Sequence, residues 1–298
     1  MHNIELENPT VLASGIMGVT PSSLKFCEQN GAGALTTKSI GLEPRKGHPN
    51  PTVIEFPAGI INAVGLSNPG ARAGAGEIVE ARARCSVPVF ASIFGRTVDE
   101  YGEVARIIGE AGPHMVEVNV SCPNVESEFG RMFCMDLVAL QKVTQIVKDN
   151  VHCPVFVKLS PNVPDIKNAA IAAVAGGADG ITAINTVGPG MLIDPVSRKP
   201  VLANIVGGLS GPAIKPIAVR CVYDIRKVVD VPIIGVGGIS SGNDIVEMLL
   251  AGANAVGIGS AVWYRGVDVF RTSVGELKDF MQKNGYSDVN QLVGGAHE

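Results

Sequence analysis

MVEVNVSCPNV, residues 115–125, contains a clear strand pattern with a thiol just beyond its carboxyl end. Its valines alternate with Glu117 and Asn119, which is the pattern of a β-strand. Pro123 cannot donate a hydrogen bond to a sheet, so the strand ends before it and a loop begins. Cys122 therefore stands between two asparagines at a strand end. A thiol can transfer a proton, and amides can hold a planar polar ring because each supplies donors and an acceptor.

The alternation of a short apolar strand with an amphipathic helix extends along the whole chain. Eight strands are predicted, at residues 9–15, 34–39, 88–93, 115–120, 154–159, 180–185, 232–236 and 255–258. Eight helices are predicted, at residues 22–30, 74–84, 98–109, 136–149, 164–175, 212–229, 242–251 and 268–284. Phrases such as NGAGALTT and AGANAVGI recur before the strands, and their glycines are typical of left-handed helix caps. Eight such units at this length favour a closed parallel (β/α)8 TIM barrel over an open doubly wound sheet.

The barrel is predicted to be a single domain over residues 1–298, because no linker or change of composition divides the chain. Two long inserts interrupt the repeat, residues 41–70 after the second strand and 187–211 after the sixth. The first is rich in Pro, Asn and Gly and is expected to be irregular. Since the segments that follow strands lie at the active face of such a barrel, both inserts can cover that face.

Composition argues against several other classes of protein. The chain of 298 residues has a net charge of −4 and no long basic run, which argues against nucleic acid as its main partner. No apolar run approaches the roughly 18 residues of a membrane helix, and the N-terminus lacks a signal-peptide pattern. A soluble cytoplasmic protein is therefore expected. The six cysteines form no CxxC pair, so neither an iron–sulfur cluster nor a structural metal is expected in this chain.

Polar residues and glycines at the carboxyl ends of strands are the default functional set of a barrel. Here they are Ser14, Lys38, Ser39, Asn119, Cys122, Asn124, Lys158, Asn185, Thr186, Gly237, Gly238, Gly259 and Ser260. The last four form two turns after the seventh and eighth strands, where barrels bind phosphate through backbone N–H groups. The alternative is that these glycines only make tight turns. Because both turns occur in these two units, we predict a phosphate site.

Two lysines, Lys38 and Lys158, lie on apolar strands. An unpaired buried charge costs several kcal/mol, so each lysine must point into a site or find a partner. Each can then anchor an anionic ligand, or charge that develops during a reaction. The alternative is a lysine that extends past the strand rim into solvent.

Cys122 is a candidate base, although the commonest fate of a cysteine is that of an inert buried thiol. Its place after a strand end and between two amides favours a functional role. With an ordinary pKa of about 8.5, a cysteine is only a few per cent thiolate at pH 7, and a basic site raises that fraction. The cysteines at positions 27, 85, 134, 153 and 221, and the histidines at 114 and 152, are expected to be structural.

Taken together, several motifs resemble class 1 dihydroorotate dehydrogenases, in the order in which that family has them. They are TTKS (36–39), INAVGLSNPG (61–70), EVNVSCPNV (117–125), VKLSPN (157–162), AINT (183–186), GGLSGPAIKP (207–216), GVGGI (235–239) and GIGS (257–260). The resemblance covers residues 14–260, nearly the whole chain. GGLSGPAIKP is most similar to the NAD-linked class 1B catalytic subunit.

The resemblance implies an FMN-dependent enzyme that oxidises (S)-dihydroorotate to orotate in the biosynthesis of UMP. In that family a cysteine, here Cys122, takes a proton from C5 while hydride leaves C6 for flavin N5, and Lys38 and Lys158 complete the catalytic set. The implied cofactor contacts are Ser14, Lys38, Ser39, Ser92, Asn119, Lys158, Ile184, Gly211, Gly237, Gly238, Gly259 and Ser260. The implied substrate contacts are Lys38, Asn62, Ala63, Val64, Gly65, Leu66, Asn119, Asn124, Asn185 and Thr186. Ser92 departs from the pattern, because many relatives have the longer asparagine there.

The class 1B resemblance further implies a second subunit that carries FAD and a [2Fe–2S] cluster and passes electrons to NAD⁺. It also implies a homodimer of this chain at the core of a heterotetramer. A cysteine base and the lack of an N-terminal membrane helix argue against the quinone-linked class 2 enzymes, which use serine. The alternatives are a fumarate-linked class 1A enzyme, another FMN barrel such as the pyrimidine-reducing module of dihydropyrimidine dehydrogenase, and a non-catalytic barrel that binds a phosphorylated metabolite. The last would have no need of Cys122 or Lys158.

Overall fold

The computed structural model describes residues 4–18, 20–120 and 132–297, so Cys122 and Asn124 lie outside the described residues. The described strands are β1 (Thr10–Leu12), β2 (Ala34–Thr36), β3 (Val53–Phe56), β4 (Gly59–Asn62), β5 (Val89–Ile93), β6 (Met115–Asn119), β7 (Val155–Leu159), β8 (Gly180–Ala183), β9 (Val187–Gly190), β10 (Ile193–Asp194), β11 (Lys199–Pro200), β12 (Gly207–Ser210), β13 (Ile233–Val236) and β14 (Ala255–Ile258). The described α-helices are α1 (Pro21–Gln29), α2 (Ala71–Arg84), α3 (Val98–Glu110), α4 (Leu137–Asn150), α5 (Ile166–Ala175), α6 (Lys215–Arg226), α7 (Gly242–Leu250), α8 (Ala261–Arg265) and α9 (Val269–Asn284). Among these helices, none combines the length and the hydropathy needed to cross a bilayer.

Eight of the strands close into a parallel barrel in the order β1-β2-β5-β6-β7-β8-β13-β14, with β14 paired to β1. Helices pack against the outside of these strands. The predicted (β/α)8 barrel is therefore confirmed, and each predicted strand overlaps one strand of the barrel. The left-handed caps are confirmed as well, because Gly31, Gly112, Gly177 and Gly252 all have positive φ angles. That residues 1–298 form a single domain stays a prediction.

The alternation of side chains along each strand produces two apolar layers. Outward side chains such as Val116 and Val118 join the helices in the larger buried cluster. Inward side chains fill the barrel itself, namely Val11, Ala34, Phe90, Met115, Phe156, Ile234 and Ala255, with Ile4 from the N-terminal segment. Because side chains alternate in direction along a strand, Glu117 and Asn119 share the inward face of β6 with Met115.

A second sheet is formed by the segments that follow β2 and β8. Its four strands pair antiparallel in the order β3-β4-β12-β9. The expectation that residues 41–70 are irregular is wrong for Val53–Phe56 and Gly59–Asn62, which form a hairpin. Pairing across the hairpin, and between β4 and β12, satisfies backbone groups that would otherwise need water.

Candidate active site

A cavity of about 660 Å³ lies at the carboxyl ends of the barrel strands. Its wall contains residues near or just beyond the carboxyl ends of barrel strands, among them Ala13, Lys38, Asn119, Lys158, Ile184, Gly237 and Gly259. The antiparallel sheet supplies further wall residues, namely Val53, Ile60, Asn62 and Ser210. Pockets of roughly 300–1,000 Å³ commonly enclose small molecules. The barrel and the antiparallel sheet together therefore enclose a site of suitable size for a ligand.

Most of the predicted site residues line this one cavity. They are Ser14, Lys38, Ser39, Asn62, Val64, Gly65, Leu66, Asn119, Lys158, Ile184, Asn185, Thr186, Gly211, Gly237, Gly238, Gly259 and Ser260. Ala63 and Ser92 are buried next to wall residues but are not part of the wall. Cys122 and Asn124 lie outside the described residues, so their predicted roles stay predictions.

A network of hydroxyl and amide groups fixes one side of the cavity. The Oγ of Ser39 lies 3.3 Å from the Oγ of Ser14 and 2.9 Å from the Oγ of Ser92. Asn119 donates from Nδ2 to the same Ser39 oxygen at 3.0 Å, and its Oδ1 accepts from Asn185 at 3.3 Å. Ser92 therefore acts behind Ser39, where it helps to orient Asn119 through that hydroxyl.

Asn162 lies outside the cavity wall and holds the backbone around Thr186, a wall residue, although Asn162 was not among the predicted site residues. Its Nδ2 donates to the carbonyl of Thr186 at 3.0 Å, and its Oδ1 accepts from the N–H of Gly188 at 3.0 Å. The side chain of Asn185 in turn accepts the N–H of Thr186 at 2.8 Å. The signal that could have found Asn162 is its position in VKLSPN, a polar residue shortly after the strand β7.

Lys158 is 7% exposed and lies on the inward face of β7, in register with Asn119 on β6 and Thr182 on β8. Its Nζ is 3.7 Å from Oε1 of Glu117, whose side chain is also buried. Among the described residues, that oxygen and the Oγ1 of Thr182 are buried without a hydrogen-bond partner. Glu117 was not predicted as a site residue, although it shares a strand face with Asn119, which was.

Asn68 holds the segment that carries Val64, Gly65 and Leu66 in the cavity wall. Its buried Oδ1 accepts from the N–H groups of Gly41 at 3.1 Å and Gly70 at 2.9 Å. Its Nδ2 donates to the carbonyl of Leu66 at 2.9 Å. A single buried amide therefore satisfies three backbone groups of a segment that departs from regular structure.

The two predicted phosphate turns face the same cavity. Gly237 and Gly238 have φ angles of 138° and 71°. A Cβ on Gly238 would lie 2.5 Å from the Cβ of Lys215, so the turn requires glycine. Gly259 and Ser260 follow β14 and precede the short helix α8. Bare backbone thus reaches the cavity from two adjacent barrel strands.

The cysteines and histidines expected to be structural lie outside the cavity wall. Burial raises the pKa of the Cys27 and Cys221 thiols to about 11, which makes both poor nucleophiles. Nδ1 of His114 accepts the N–H of Val89 at 3.0 Å. Burial, with the nearby charge of Arg82, lowers the pKa of His114 below its usual range.

Comparison with known proteins agrees with this geometry. The family model described as dihydroorotate dehydrogenase matches residues 1–281. Three curated relatives are named dihydroorotate dehydrogenase B (NAD(+)), catalytic subunit. The one from Methanosarcina acetivorans is 47% identical over 296 residues, which cover 99% of this chain and 94% of the relative. Those from Methanothermobacter thermautotrophicus and Pyrococcus horikoshii are 46% and 45% identical, over 99% of this chain and 97% and 95% of the relatives. A match of this length and identity, on a barrel with this cavity, places the chain in the dihydroorotate dehydrogenase family.

Proposed function

We propose that the chain oxidises (S)-dihydroorotate to orotate in pyrimidine biosynthesis, with FMN in the cavity and NAD⁺ as the final electron acceptor. The main support for the proposal is that Lys38, Lys158, Asn119 and Asn185 all line the same cavity. The relatives that match nearly the full length of this chain bear the name of an NAD-linked dihydroorotate dehydrogenase.

The cavity fits FMN. The turns at Gly237–Gly238 and Gly259–Ser260 offer backbone to a phosphate group, and a side chain on Gly238 would clash with Lys215. Lys158 offers a positive charge in a largely water-excluded position, where charge on a reduced ring is stabilised best. When bound, FMN supplies an acceptor for hydride. Ser14, Ser39, Ile184 and Gly211 are further wall residues that would hold it.

The remaining polar wall suits a carboxylated pyrimidine. Among the described residues of the wall, the charged side chains are the two lysines, so the cavity attracts an anion. Lys38 would pair with the carboxylate of the substrate. The amides of Asn62, Asn119 and Asn185 can hold the ring oxygens and N–H groups.

Oxidation of dihydroorotate removes a proton from C5 and a hydride from C6, so the site needs a base. Cys122 is the candidate base, because it is the third residue after Asn119 in the sequence and its thiol can take the proton.

The proposal extends to a partner. The relatives are catalytic subunits of NAD-linked enzymes, which implies a separate electron-transfer subunit. We propose that this subunit carries FAD and a [2Fe–2S] cluster and that two copies of each chain form a heterotetramer. A cytoplasmic location likewise stays a prediction.

Orotate formation tests the proposal. The purified chain with FMN should form orotate from dihydroorotate with an artificial acceptor, and should use NAD⁺ only when the partner subunit is added. Reduction of fumarate by the chain alone would favour the fumarate-linked alternative. Lys158→Gln should slow flavin reduction by about 10²–10³, as expected for losing one charge-stabilising group. Lys167→Gln is the matched control, because that lysine is 42% exposed and lies outside the cavity wall. Reduction by Lys158→Gln at the wild-type rate would refute the role of Lys158.

A further inference from the structure

A buried carboxylate lies inside the barrel beside the lysine of the cavity wall. Oε1 of Glu117 is 3.7 Å from Nζ of Lys158, and the two side chains are 4% and 8% exposed. At 3.7 Å the two groups interact as charges in a poorly screened environment rather than through a short hydrogen bond. Glu117 itself is not in the cavity wall, so it influences the cavity through its effect on Lys158, which is in the wall.

Packing does not explain why a carboxylate stands at this position. The inward neighbours of Glu117 along and across the strands include Met115 and Phe156, both fully buried. A buried ion pair is often no more stabilising than apolar side chains of similar volume. The pair is therefore costly to bury, and Oε1 of Glu117 has no hydrogen bond from the described residues to offset that cost.

Among the described residues, the cross-strand neighbours of the pair on β5 and β8 are polar but uncharged, and Ser92 on β5 lies in register with Glu117. Lys158 has Asn119 and Thr182 as its cross-strand neighbours, and both are neutral. Lys38 is the other charged residue among those described in the cavity wall. The two lysines and the Glu117 carboxylate together carry one net positive charge, whereas the two lysines alone would carry two.

We propose that Glu117 is a positioning residue for Lys158, and that its carboxylate sets the reduction potential of the bound flavin by offsetting part of the lysine charge. Reduction adds negative charge to the flavin, which Lys158 favours and Glu117 opposes. Loss of the Glu117 charge should therefore make the flavin easier to reduce. This inference rests on the proposed function, because it requires FMN in the cavity.

Glu117→Gln tests the inference, because it removes the charge and keeps the size of the side chain. The midpoint potential of the flavin is measured by equilibrium with a reference dye, and the dissociation constant of oxidised FMN by titration of the apoprotein. We expect the equilibrium constant for two-electron reduction to rise at least about tenfold, which is about 30 mV upward. The dissociation constant for oxidised FMN should stay within about threefold of wild type. Glu110→Gln is the control, since it removes the same charge from a side chain that is 69% exposed on helix α3, and it should leave the potential unchanged.

A potential for Glu117→Gln that equals or falls below that of wild type would overturn the inference. If Glu117→Gln does not fold, the potential of Glu117→Gln/Lys158→Gln is compared with that of Lys158→Gln alone. The double variant should have the higher potential, because the single variant leaves an uncompensated carboxylate near the flavin; equal potentials would overturn the inference. Wild-type apoprotein that binds no FMN would instead overturn the proposed function, so the two failures are distinguishable.

Discussion

The hydroxyl of Tyr101, on helix α3, donates a 2.8 Å hydrogen bond to the main-chain carbonyl of Asn119, the last residue of β6. Tyr101 is 2% exposed, and its ring packs edge-on against Phe133. A buried helix side chain thus fixes the end of the strand that carries both Glu117 and Asn119. The carbonyl of Asn119 lies at the end of β6, where the regular hydrogen bonding of the sheet ends. The hydroxyl of Tyr101 supplies this carbonyl with a hydrogen-bond donor.

Tyr101→Phe should lower the free energy of unfolding by about 1–2 kcal/mol, because it removes the donor to a buried carbonyl and keeps the ring. Urea denaturation measures the change. Tyr286→Phe is a suitable control, since that ring stacks on Phe280 near the C-terminus and lies far from β6 in the chain. We expect that control to change stability by no more than about 0.5 kcal/mol. A Tyr101→Phe variant as stable as wild type would show that the hydrogen bond contributes nothing.

Gly238→Ala should weaken FMN binding by about tenfold or more, a loss of at least about 1.4 kcal/mol. The added Cβ would lie 2.5 Å from the Cβ of Lys215 and 2.9 Å from its backbone, so the turn must shift. Gly285→Ala is the matched control, because it has a similar φ of 76° but no atom within 4 Å of the added Cβ. Both variants should lose stability from backbone strain, and only Gly238→Ala should lose FMN affinity. Equal FMN affinity in the two variants would count against the phosphate turn.

Asp244 anchors the segment that follows the Gly237–Gly238 turn. Its Oδ1 accepts from Nζ of Lys215 at 2.8 Å, and its Oδ2 accepts from the N–H of Ser240 at 2.9 Å and the hydroxyl of Ser241 at 2.9 Å. Burial alone would raise the pKa of Asp244, but these hydrogen bonds outweigh it and hold the pKa below its usual value. The folded pKa is thus lower than the unfolded one, so the stabilisation is fully present above about pH 4 to 5 and is lost as the pH falls through the folded pKa.

Asp244→Asn should therefore destabilise the protein by about 1–3 kcal/mol at pH 7, and by less at pH values below about 4. Thermal unfolding across this pH range measures the difference. Glu247→Gln is the control, since Glu247 also pairs with Lys215 but its side chain is 47% exposed, and it should cost at most about 1 kcal/mol. A penalty for Asp244→Asn that does not change with pH would contradict the assignment.

Cys122→Ala should leave FMN bound and lower turnover with dihydroorotate by about 10²–10⁴, because it removes the proposed base. Flavin reduction after mixing with dihydroorotate measures this. Cys134→Ala is the control, because Cys134 is a buried thiol outside the cavity wall. It should retain turnover. Wild-type turnover by Cys122→Ala would remove Cys122 as the base.

The barrel could be predicted from the sequence because its signals are local. Each strand is a short apolar run, and each glycine cap, such as Gly31 or Gly252, stands next to the strand that it precedes. The antiparallel sheet could not be predicted in the same way, because β4 pairs with β12 across the chain, with Asn62 opposite Gly208. Prolines at positions 51 and 57 flank the hairpin strand β3 and made its short strand pattern look like part of a loop.

The candidate site was predictable only in part, for a physical reason. Polar residues at strand ends identify the cavity wall, which is how Lys38, Lys158 and Asn185 were found. Residues that act one layer behind the wall depend on register between strands. Ser92 on β5 bonds to Ser39, which follows β2, and Glu117 on β6 lies beside Lys158 on β7. Neither pairing is visible in the order of residues.

The most direct test of the proposed activity is anaerobic mixing of the FMN-loaded chain with dihydroorotate while the visible absorbance of the flavin is followed. Rapid bleaching with formation of orotate is the expected result, because the substrate then reduces the flavin within this chain without its partner. A yellow protein whose absorbance does not change on mixing would keep the flavin site but contradict the assignment of dihydroorotate as its substrate.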